Sequence, residues 1–157
     1  MMIGDFLTPK AVSADLKSTT KEKIIEEMVM LLIDAGAIDK KYKNKIMEVL
    51  MAREALGSTA IGQGIAIPHG KCDCVKKIIG SLAVSKKGIN FDSLDGEPAY
   101  IFFLLLAPVD SAGPHLKALA RISRLLKDKY FRDSLKNVKD DKAILKLIAQ
   151  EEERIIV

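Results

Sequence analysis

The nine-residue run Ala99–Ala107 constrains the fold more than any other feature of this 157-residue sequence. Its sequence, AYIFFLLLA, is apolar at successive positions, so a strand built from it has two apolar faces. Such a strand is typical of the centre of a sheet that is covered on both sides. The run is roughly half the length that a membrane-spanning helix needs, so it does not predict a membrane span.

The residues around this strand predict helices at both ends of a strand-rich middle. Helices are expected at 19–36, about 40–53, from Gly113-Pro114 onward, and about 140–152, and a further strand at 77–85. Thr19 and Glu22 have the spacing of a capping box, and Gly36 supplies the helix stop. In the helix that opens at Gly113-Pro114, the expected inner face is Leu116, Leu119, Ser123 and Leu126, widened by Ile122 and Leu125. This pattern predicts an α/β fold, and the absence of a linker-like segment predicts a single domain over residues 1–157.

Composition narrows the range of partners and compartments. The net charge of +4 is a mild excess without a dense basic block, so nucleic-acid binding is not expected. The amino-terminal residues lack the basic and apolar regions of a secretion signal, which predicts a cytoplasmic protein without direct membrane insertion. The two cysteines, Cys72 and Cys74, are too few and too close in sequence for a disulfide framework.

The two histidines, His69 and His115, are the candidate functional residues. Pro68 favours an extended Ile67, so His69 is expected just past a strand end, where α/β folds often bind ligands, with Gly70 turning the chain away. His115 is expected in the first turn of a helix, where free backbone N–H groups favour an anion. Both side chains are therefore expected to be presented rather than buried, although a single histidine in either setting is usually an ordinary polar residue.

A metal site is the competing interpretation. His69, Cys72, Cys74 and His115 supply the imidazole and thiolate ligands that tetrahedral zinc prefers. The spacing is poor, because zinc sites usually separate paired cysteines by two to four residues, and residues one apart in an extended segment point to opposite sides. Two small residues in a surface loop are the simpler interpretation of the cysteines. The sequence also lacks a nucleophile elbow and a phosphate-binding glycine loop, so neither a serine hydrolase nor a nucleotide enzyme is indicated.

The segment Glu54–Gly70, EALGSTAIGQGIAIPHG, contains the most specific pattern in the sequence. Glu54 is followed, after six positions, by the apolar-small pair Ile61-Gly62, and then by Ile65-Ala66-Ile67-Pro68-His69-Gly70. This pattern resembles the active-site signature of type-2 enzyme IIA domains of the bacterial phosphoenolpyruvate-dependent sugar phosphotransferase system (PTS), the fructose, mannitol and nitrogen-regulatory class. Further similar segments occur at 7–9, 53–59, 89–92, 95–96, 103–108 and 113–120.

The resemblance implies a fold and a set of site residues. The fold would be a mixed β-sheet flanked by helices on both faces. His69 would be the phosphorylated residue, His115 the second active-site histidine, and Arg53 the neighbouring cation. Pro114 departs from the family, since many relatives carry an acidic residue before the second histidine. Neither a metal nor another cofactor would be required.

The resemblance also implies the partners. His69 would accept a phosphoryl group from the carrier protein HPr, or a nitrogen-branch relative, and pass it to a sugar-specific enzyme IIB. Any association with a membrane-bound IIC would run through IIB. The alternative within the same family is a regulator whose phosphorylation state controls its partner binding, and a zinc-binding interaction module remains the alternative outside it.

Overall fold

The computed structural model describes the backbone of residues 1–156 and the side chains of residues 1–155. Within them the chain forms six strands and five α-helices. The strands are β1 (Leu7–Ser13), β2 (Ala60–Gly62), β3 (Ile65–Ala66), β4 (His69–Lys71), β5 (Ile79–Ile89) and β6 (Ala99–Ala107). The helices are α1 (Lys21–Asp34), α2 (Lys43–Ala55), α3 (Ala112–Leu125), α4 (Lys129–Lys136) and α5 (Asp141–Ile156).

The strands form one mixed sheet in the order β1-β5-β6-β3-β2, with β4 also pairing β6. β5 runs antiparallel to β6, whereas β1 runs parallel to β5 and both β3 and β4 run parallel to β6. β6 is therefore an interior strand, and eight of its nine residues are buried. The predicted central strand and the mixed sheet are both confirmed.

The helices cover both faces of this sheet, which explains why β6 is apolar at successive positions. Phe102, Leu104 and Leu106 pack into a core shared with α1 and α2. The intervening Ile101, Phe103 and Leu105 pack into a second core shared with α3, α4 and α5. Because consecutive side chains of a strand point to opposite faces, a strand between two cores must be apolar throughout.

Some helix details differ from the sequence predictions. The amino-terminal cap of α1 is Thr20 rather than Thr19, because the Lys23 amide donates to Thr20 Oγ1 at 3.4 Å. The predicted stop at Gly36 is confirmed by its positive φ of 78°, which glycine adopts without steric strain. Strand β1 and helix α4 were not predicted.

Helix α3 is rotated relative to its predicted orientation. It begins at Ala112 and buries His115, Ala118, Ile122 and Leu125, a stripe with spacings of three and four residues. The expected inner residues Leu116 and Ser123 are exposed instead, whereas Leu126 is buried as predicted. The prediction for Leu116 and Ser123 is therefore wrong, and the actual rotation carries His115 toward the protein interior.

Candidate active site

The site lies at a break between two short strands, β3 and β4, which both pair with β6. β3 pairs with β6 at Ile65, opposite Ile101, and pairing resumes in β4 at His69, opposite Leu105. Pro68 lies in the gap, where its missing N–H removes nothing from a regular ladder. His69 does lie past the end of β3, as predicted, but it is the first residue of a new strand segment and not part of a loop.

The break in the strand gives the His69 ring a backbone partner. His69 Nδ1 lies 2.7 Å from the carbonyl oxygen of Ile67. Because a carbonyl oxygen can only accept a hydrogen bond, Nδ1 must carry the proton. In the neutral ring, Nε2 then retains its lone pair, so this contact selects the tautomer in which Nε2 is the nucleophilic nitrogen.

His115 reaches the same place from α3, but its environment is different. Its ring lies edge-on to the His69 ring, with 5.5 Å between the centroids and an angle of 86° between the planes. The residue is 6% exposed, and neither ring nitrogen has a hydrogen-bond partner among the described residues. The structure thus brings the two histidines together as predicted, and the expectation that His115 is presented to solvent is wrong.

Both histidines are shifted toward their neutral forms. Burial lowers the pKa of His69 below its ordinary value of 6.5, the contact with Ile67 partly opposes this, and the charge of Arg53 lowers the pKa further. Burial likewise lowers the pKa of His115 from 6.5, with smaller contributions from His69 and Lys71. A neutral imidazole has the free lone pair that a nucleophile needs, and burial favours this neutral form in both rings.

A pocket of about 480 Å³ joins the predicted site residues. Its lining consists of Val49, Arg53, His69, Gly70, Lys71, Ala112, His115, Leu116 and Leu119. Arg53 is held at the end of α2, because its Nη1 donates to the carbonyl oxygen of Gly57 at 2.8 Å. All three predicted site residues, His69, His115 and Arg53, therefore lie around one cavity.

Lys71 is a charged residue of this pocket that the sequence prediction did not include. It lies two positions after His69 in β4, so the two side chains emerge from the same face of the strand. The period of two could have indicated it, had the segment after Pro68 been recognised as a strand.

Gly70 has a packing role rather than the expected turning role. It lies within β4, and a Cβ atom at this position would approach Val49 Cγ1 to 2.7 Å. Glycine therefore allows α2 to lie directly against the strand that carries His69. The expectation that Gly70 turns the chain away is wrong, because the backbone continues its pairing with β6 through Lys71.

Glu54, the first residue of the sequence signature, connects α2 to the segment leading to His69. Its buried carboxylate accepts hydrogen bonds from the Thr59 amide at 2.9 Å and from the Thr59 hydroxyl at 2.5 Å. The ammonium group of Lys21 lies 3.2 Å from the same carboxylate and 2.9 Å from Asp92. A buried carboxylate requires such partners, and together they fix the loop between α2 and β2.

The cysteines do not join the histidines. Cys72 and Cys74 are bonded to each other as a disulfide, across a turn that directly follows β4. The expectations that they point to opposite sides and are simply two small residues in a surface loop are both wrong, because the chain turns here and Cys72 is buried. Over the described part of the chain, no three His, Cys, Asp or Glu side chains are grouped as metal ligands would be. The zinc interpretation therefore has no support from the structure.

The sequence comparison decides the family. Residues 5–151 match the family model described as phosphoenolpyruvate-dependent sugar phosphotransferase system, EIIA 2. The chain belongs to this family. The segments that resemble this family contain the break between β3 and β4, both histidines and Arg53.

Individual relatives cover nearly the whole chain. The nitrogen regulatory protein of Bradyrhizobium diazoefficiens is 41% identical over 149 residues, which is 95% of both chains. The PTS fructose-specific EIIA component of Haloferax volcanii is 33% identical, covering 92% of this chain and 93% of the relative. The crystal structure of the nitrogen regulatory protein IIA-Ntr from Neisseria meningitidis superposes with a TM-score of 0.83 at 32% identity, covering 93% and 98% of the two chains.

Family membership establishes the general activity. The chain is a PTS EIIA-type phosphotransferase component, and domains of this family interact with HPr-type donors and transfer the phosphoryl group to IIB. No helix within residues 1–156 is both long and apolar enough to cross a membrane. The family contains both sugar-specific and nitrogen-regulatory members, and both kinds are among the relatives of this chain.

Proposed function

We propose that His69 is the phosphoryl acceptor and that its Nε2 forms the bond to phosphorus. The observation that carries this proposal is the contact between His69 Nδ1 and the Ile67 carbonyl, which leaves Nε2 as the unprotonated nitrogen. Both histidines line the pocket, but His69 is half-buried, whereas His115 is almost fully buried. Of the two imidazoles, His69 is thus the one that a second protein can reach.

The donor in this proposal is the phosphohistidine of HPr or of a nitrogen-branch relative. The lone pair of His69 Nε2 forms the new N–P bond while the N–P bond of the donor breaks, and the bonding electrons return to the donor's nitrogen. The phosphoryl group then passes by the same kind of step to a residue of an enzyme IIB. Because the transferring group carries spread negative charge, the protein contributes mainly positioning and electrostatic stabilisation.

Arg53 and His115 supply that stabilisation. The guanidinium of Arg53 has planar N–H donors that match phosphoryl oxygens. His115 has an unpaired ring N–H available for the same group. Since a charge-assisted hydrogen bond contributes about 1.5–3 kcal/mol, loss of either residue should slow transfer by roughly tenfold to a hundredfold.

The test is phosphorylation with phosphoenolpyruvate, enzyme I and HPr. We expect His69→Ala to accept no label, because the accepting nitrogen is gone. Arg53→Ala and His115→Ala should still accept label, at reduced rates. Appreciable labelling of His69→Ala by the phosphorylated carrier would reject the assignment.

A regulatory role is the second candidate, favoured by the names of two relatives. The Bradyrhizobium diazoefficiens protein and the Neisseria meningitidis structure are both described as nitrogen regulatory. On this alternative, the same phosphohistidine controls which partner the protein binds. Transfer of label to a panel of IIB domains separates the two, since a sugar-specific component should phosphorylate one of them rapidly and a regulator should phosphorylate none.

The proposed chemistry also indicates the compartment in which the protein acts and the partners it contacts. We propose that residues 1–157 act as one domain in the cytoplasm, where HPr-type carriers and IIB domains operate. Contact with a membrane-bound IIC would be made through IIB. The proposed reaction uses the imidazole itself as the carrier, so it requires neither a nucleotide nor a metal.

A further inference from the structure

The disulfide between Cys72 and Cys74 takes no part in the proposed phosphoryl chemistry. The sequence contains only these two cysteines, so the pair has no other sulfur within the chain for thiol exchange. A reducing compartment keeps most thiols free, and the disulfides that occur there are usually catalytic or redox-sensing. In the cytoplasm proposed for this protein, the oxidation state of the pair is therefore set by thiols outside the chain.

The two cysteines differ in exposure. Cys72 is 2% exposed and belongs to the core shared with α1 and α2, whereas Cys74 is partly exposed and packs against that core. Access to a sulfur atom is one of the factors that set the rate of thiol–disulfide exchange. An external thiol therefore attacks at Cys74, and Cys72 provides the leaving sulfur.

The disulfide closes a very small ring, in which only Asp73 separates the two cysteines. In the chain-entropy model, a disulfide stabilises a fold less when the loop that it closes is shorter. Exposed disulfides are also more readily reduced than structural ones. A small ring with one partly exposed cysteine therefore has the properties of an exchangeable disulfide.

This ring is joined to both sides of the candidate active site. The Cys72 amide donates at 2.9 Å to the carbonyl of the last residue of β6, which extends by one residue the pairing that begins at His69. Asp73, inside the ring, pairs with Lys45 of α2, the helix that carries Arg53. Opening the ring leaves this turn held by hydrogen bonds and the ion pair alone, so the end of β4 frays more readily.

We propose that Cys72 and Cys74 form a reversible redox site, which small-molecule thiols of the glutathione type open and their disulfides close, and that opening it slows phosphoryl acceptance at His69. The exchange reaction is independent of the proposed function, whereas its effect on His69 rests on that function. The site makes phosphoryl acceptance responsive to the redox state of the surrounding thiols.

The exchange proceeds in two balanced steps. A thiolate attacks Cys74 Sγ and forms a mixed disulfide, while the bond to Cys72 Sγ breaks and the Cys72 sulfur keeps the electron pair and takes up the proton that the thiol lost. A second thiolate attacks the small molecule's sulfur in the mixed disulfide, which releases Cys74 to take up a proton. Two small-molecule thiols are thus oxidised to one disulfide as the protein disulfide is reduced to two thiols, and the reverse sequence closes the ring.

The first test equilibrates the native protein with mixtures of reduced and oxidised glutathione, followed by acid quenching, alkylation and mass spectrometry. We expect no free thiol on the oxidising side and both cysteines free on the reducing side, reached from either direction without denaturant. Failure of the disulfide to form in the folded protein, or reduction only after unfolding, would overturn the redox site.

Single variants identify the point of attack. Oxidised glutathione should react with Cys72→Ser, which retains the partly exposed Cys74, about tenfold faster than with Cys74→Ser, which retains the buried Cys72. Equal rates of mixed-disulfide formation would contradict the assigned order of attack.

The effect on His69 is measured as the rate of phosphoryl acceptance from the phosphorylated carrier, with the protein oxidised or reduced beforehand and the reagent removed. We expect the reduced protein to accept about fivefold more slowly, because a displaced acceptor is less well positioned. Cys72→Ala/Cys74→Ala is the matched control, since it cannot form the disulfide and should accept at the reduced wild-type rate after either treatment. Equal rates for oxidised and reduced wild type would overturn the coupling.

Hydrogen exchange checks the physical cause without any substitution. The Cys72 amide, which is bonded to β6, should exchange about tenfold faster in the reduced protein. The Leu16 amide, bonded to the Val84 carbonyl at 2.8 Å, is the internal control and should be unchanged. An unchanged rate at Cys72 would contradict the loosening of β4.

Failure of the coupling differs from failure of the proposed function. If oxidised and reduced wild type both take label from the carrier at one rate, only the coupling is wrong. If neither form takes label from the carrier, the proposed function is wrong, and the exchange with glutathione still decides whether the redox site exists.

Discussion

The two histidines of the pocket are held in opposite ways. His69 is half-buried, and its Nδ1 is bound to a backbone carbonyl 2.7 Å away. His115 is 6% exposed, and both of its nitrogens lack partners within the described part of the chain. One ring has a fixed tautomer and belongs to a partly exposed residue, whereas the other has unmet hydrogen-bonding capacity in a buried position.

This difference matches the proposed division of roles, in which His69 is the acceptor and His115 the helper. A nucleophile needs a defined lone pair before its partner arrives, and the contact with Ile67 provides it. A helper is most effective when its hydrogen bond forms only with the transferring group, because an interaction realised there lowers the barrier. The unpaired nitrogens of His115 fit the helper role and make the residue unfavourable for stability.

The largest expected contrast is obtained by replacing each histidine with leucine. His69→Leu should abolish acceptance from the carrier, whereas His115→Leu should slow it by roughly tenfold to a hundredfold. Because His115→Leu removes buried unpaired nitrogens, it should leave the free energy of unfolding unchanged or raise it by about 1 kcal/mol. Urea unfolding checks this, and a destabilisation of more than about 2 kcal/mol would show that the His115 nitrogens have partners in the native protein.

A smaller effect on transfer and stability is expected from Gly70→Ala, which perturbs only the part of the pocket around His69. The added methyl group would approach Val49 Cγ1 to 2.7 Å, so α2 must shift away from β4. We expect a loss of about 1–3 kcal/mol in unfolding free energy, and slower transfer because Arg53 moves with α2. The double variant Gly70→Ala/Val49→Ala should recover part of both losses, and additive effects of the two substitutions would argue against this contact.

The smallest expected effects are changes in histidine pKa, measured by NMR titration. Burial is the main cause of the lowered pKa at both sites, so no single charge removal should restore the ordinary value. Arg53→Gln should raise the pKa of His69, and Lys71→Gln should raise that of His115, because each removes a nearby positive charge. If Lys71→Gln left the pKa of His115 unchanged, the ammonium group would lie farther from His115 in solution.

The same pKa shifts determine a stability trend. The folded-state values lie below the ordinary value of 6.5, so the unfolded chain binds protons more readily. The resulting stability is present above about pH 6.5 and is lost as the pH falls through the folded-state values. Replacing His115 by leucine should therefore weaken the pH dependence of unfolding in this range.

Much of the fold was predictable because the strongest signals are local or periodic. The apolar run Ala99–Ala107 identified the interior strand, and Gly36 marked the end of α1. Strand β1 was missed because a strand on the sheet's edge, Leu7–Ser13, depends on its pairing with β5 rather than on its own pattern. Leu116 was wrongly expected to be buried because it is as apolar as Ile122, which is buried as expected, and only tertiary packing determines which apolar residues of α3 face the core.

The candidate site residues were predictable from the family resemblance, whereas their environments were not. His69, His115 and Arg53 do lie around one pocket, as the resemblance implied. The burial of His115 follows from the rotation of α3, which local sequence does not specify. Cys72 and Cys74 were expected to diverge because an extended chain was assumed, and the turn after β4 brings their sulfur atoms together. Lys71 was missed for a related reason, since its relation to His69 exists only if β4 is a strand.

The interrupted strand before His69 also affects how the site can change over evolution. The ring is anchored by a main-chain oxygen of Ile67, and a main-chain oxygen survives every substitution at that position. It also neither gains nor loses a proton, so acidification leaves the anchor intact while the ring itself titrates. Orientation of the proposed nucleophile is thereby inherited from the path of the backbone, and the surrounding side chains are free to diverge as the protein acquires new partners.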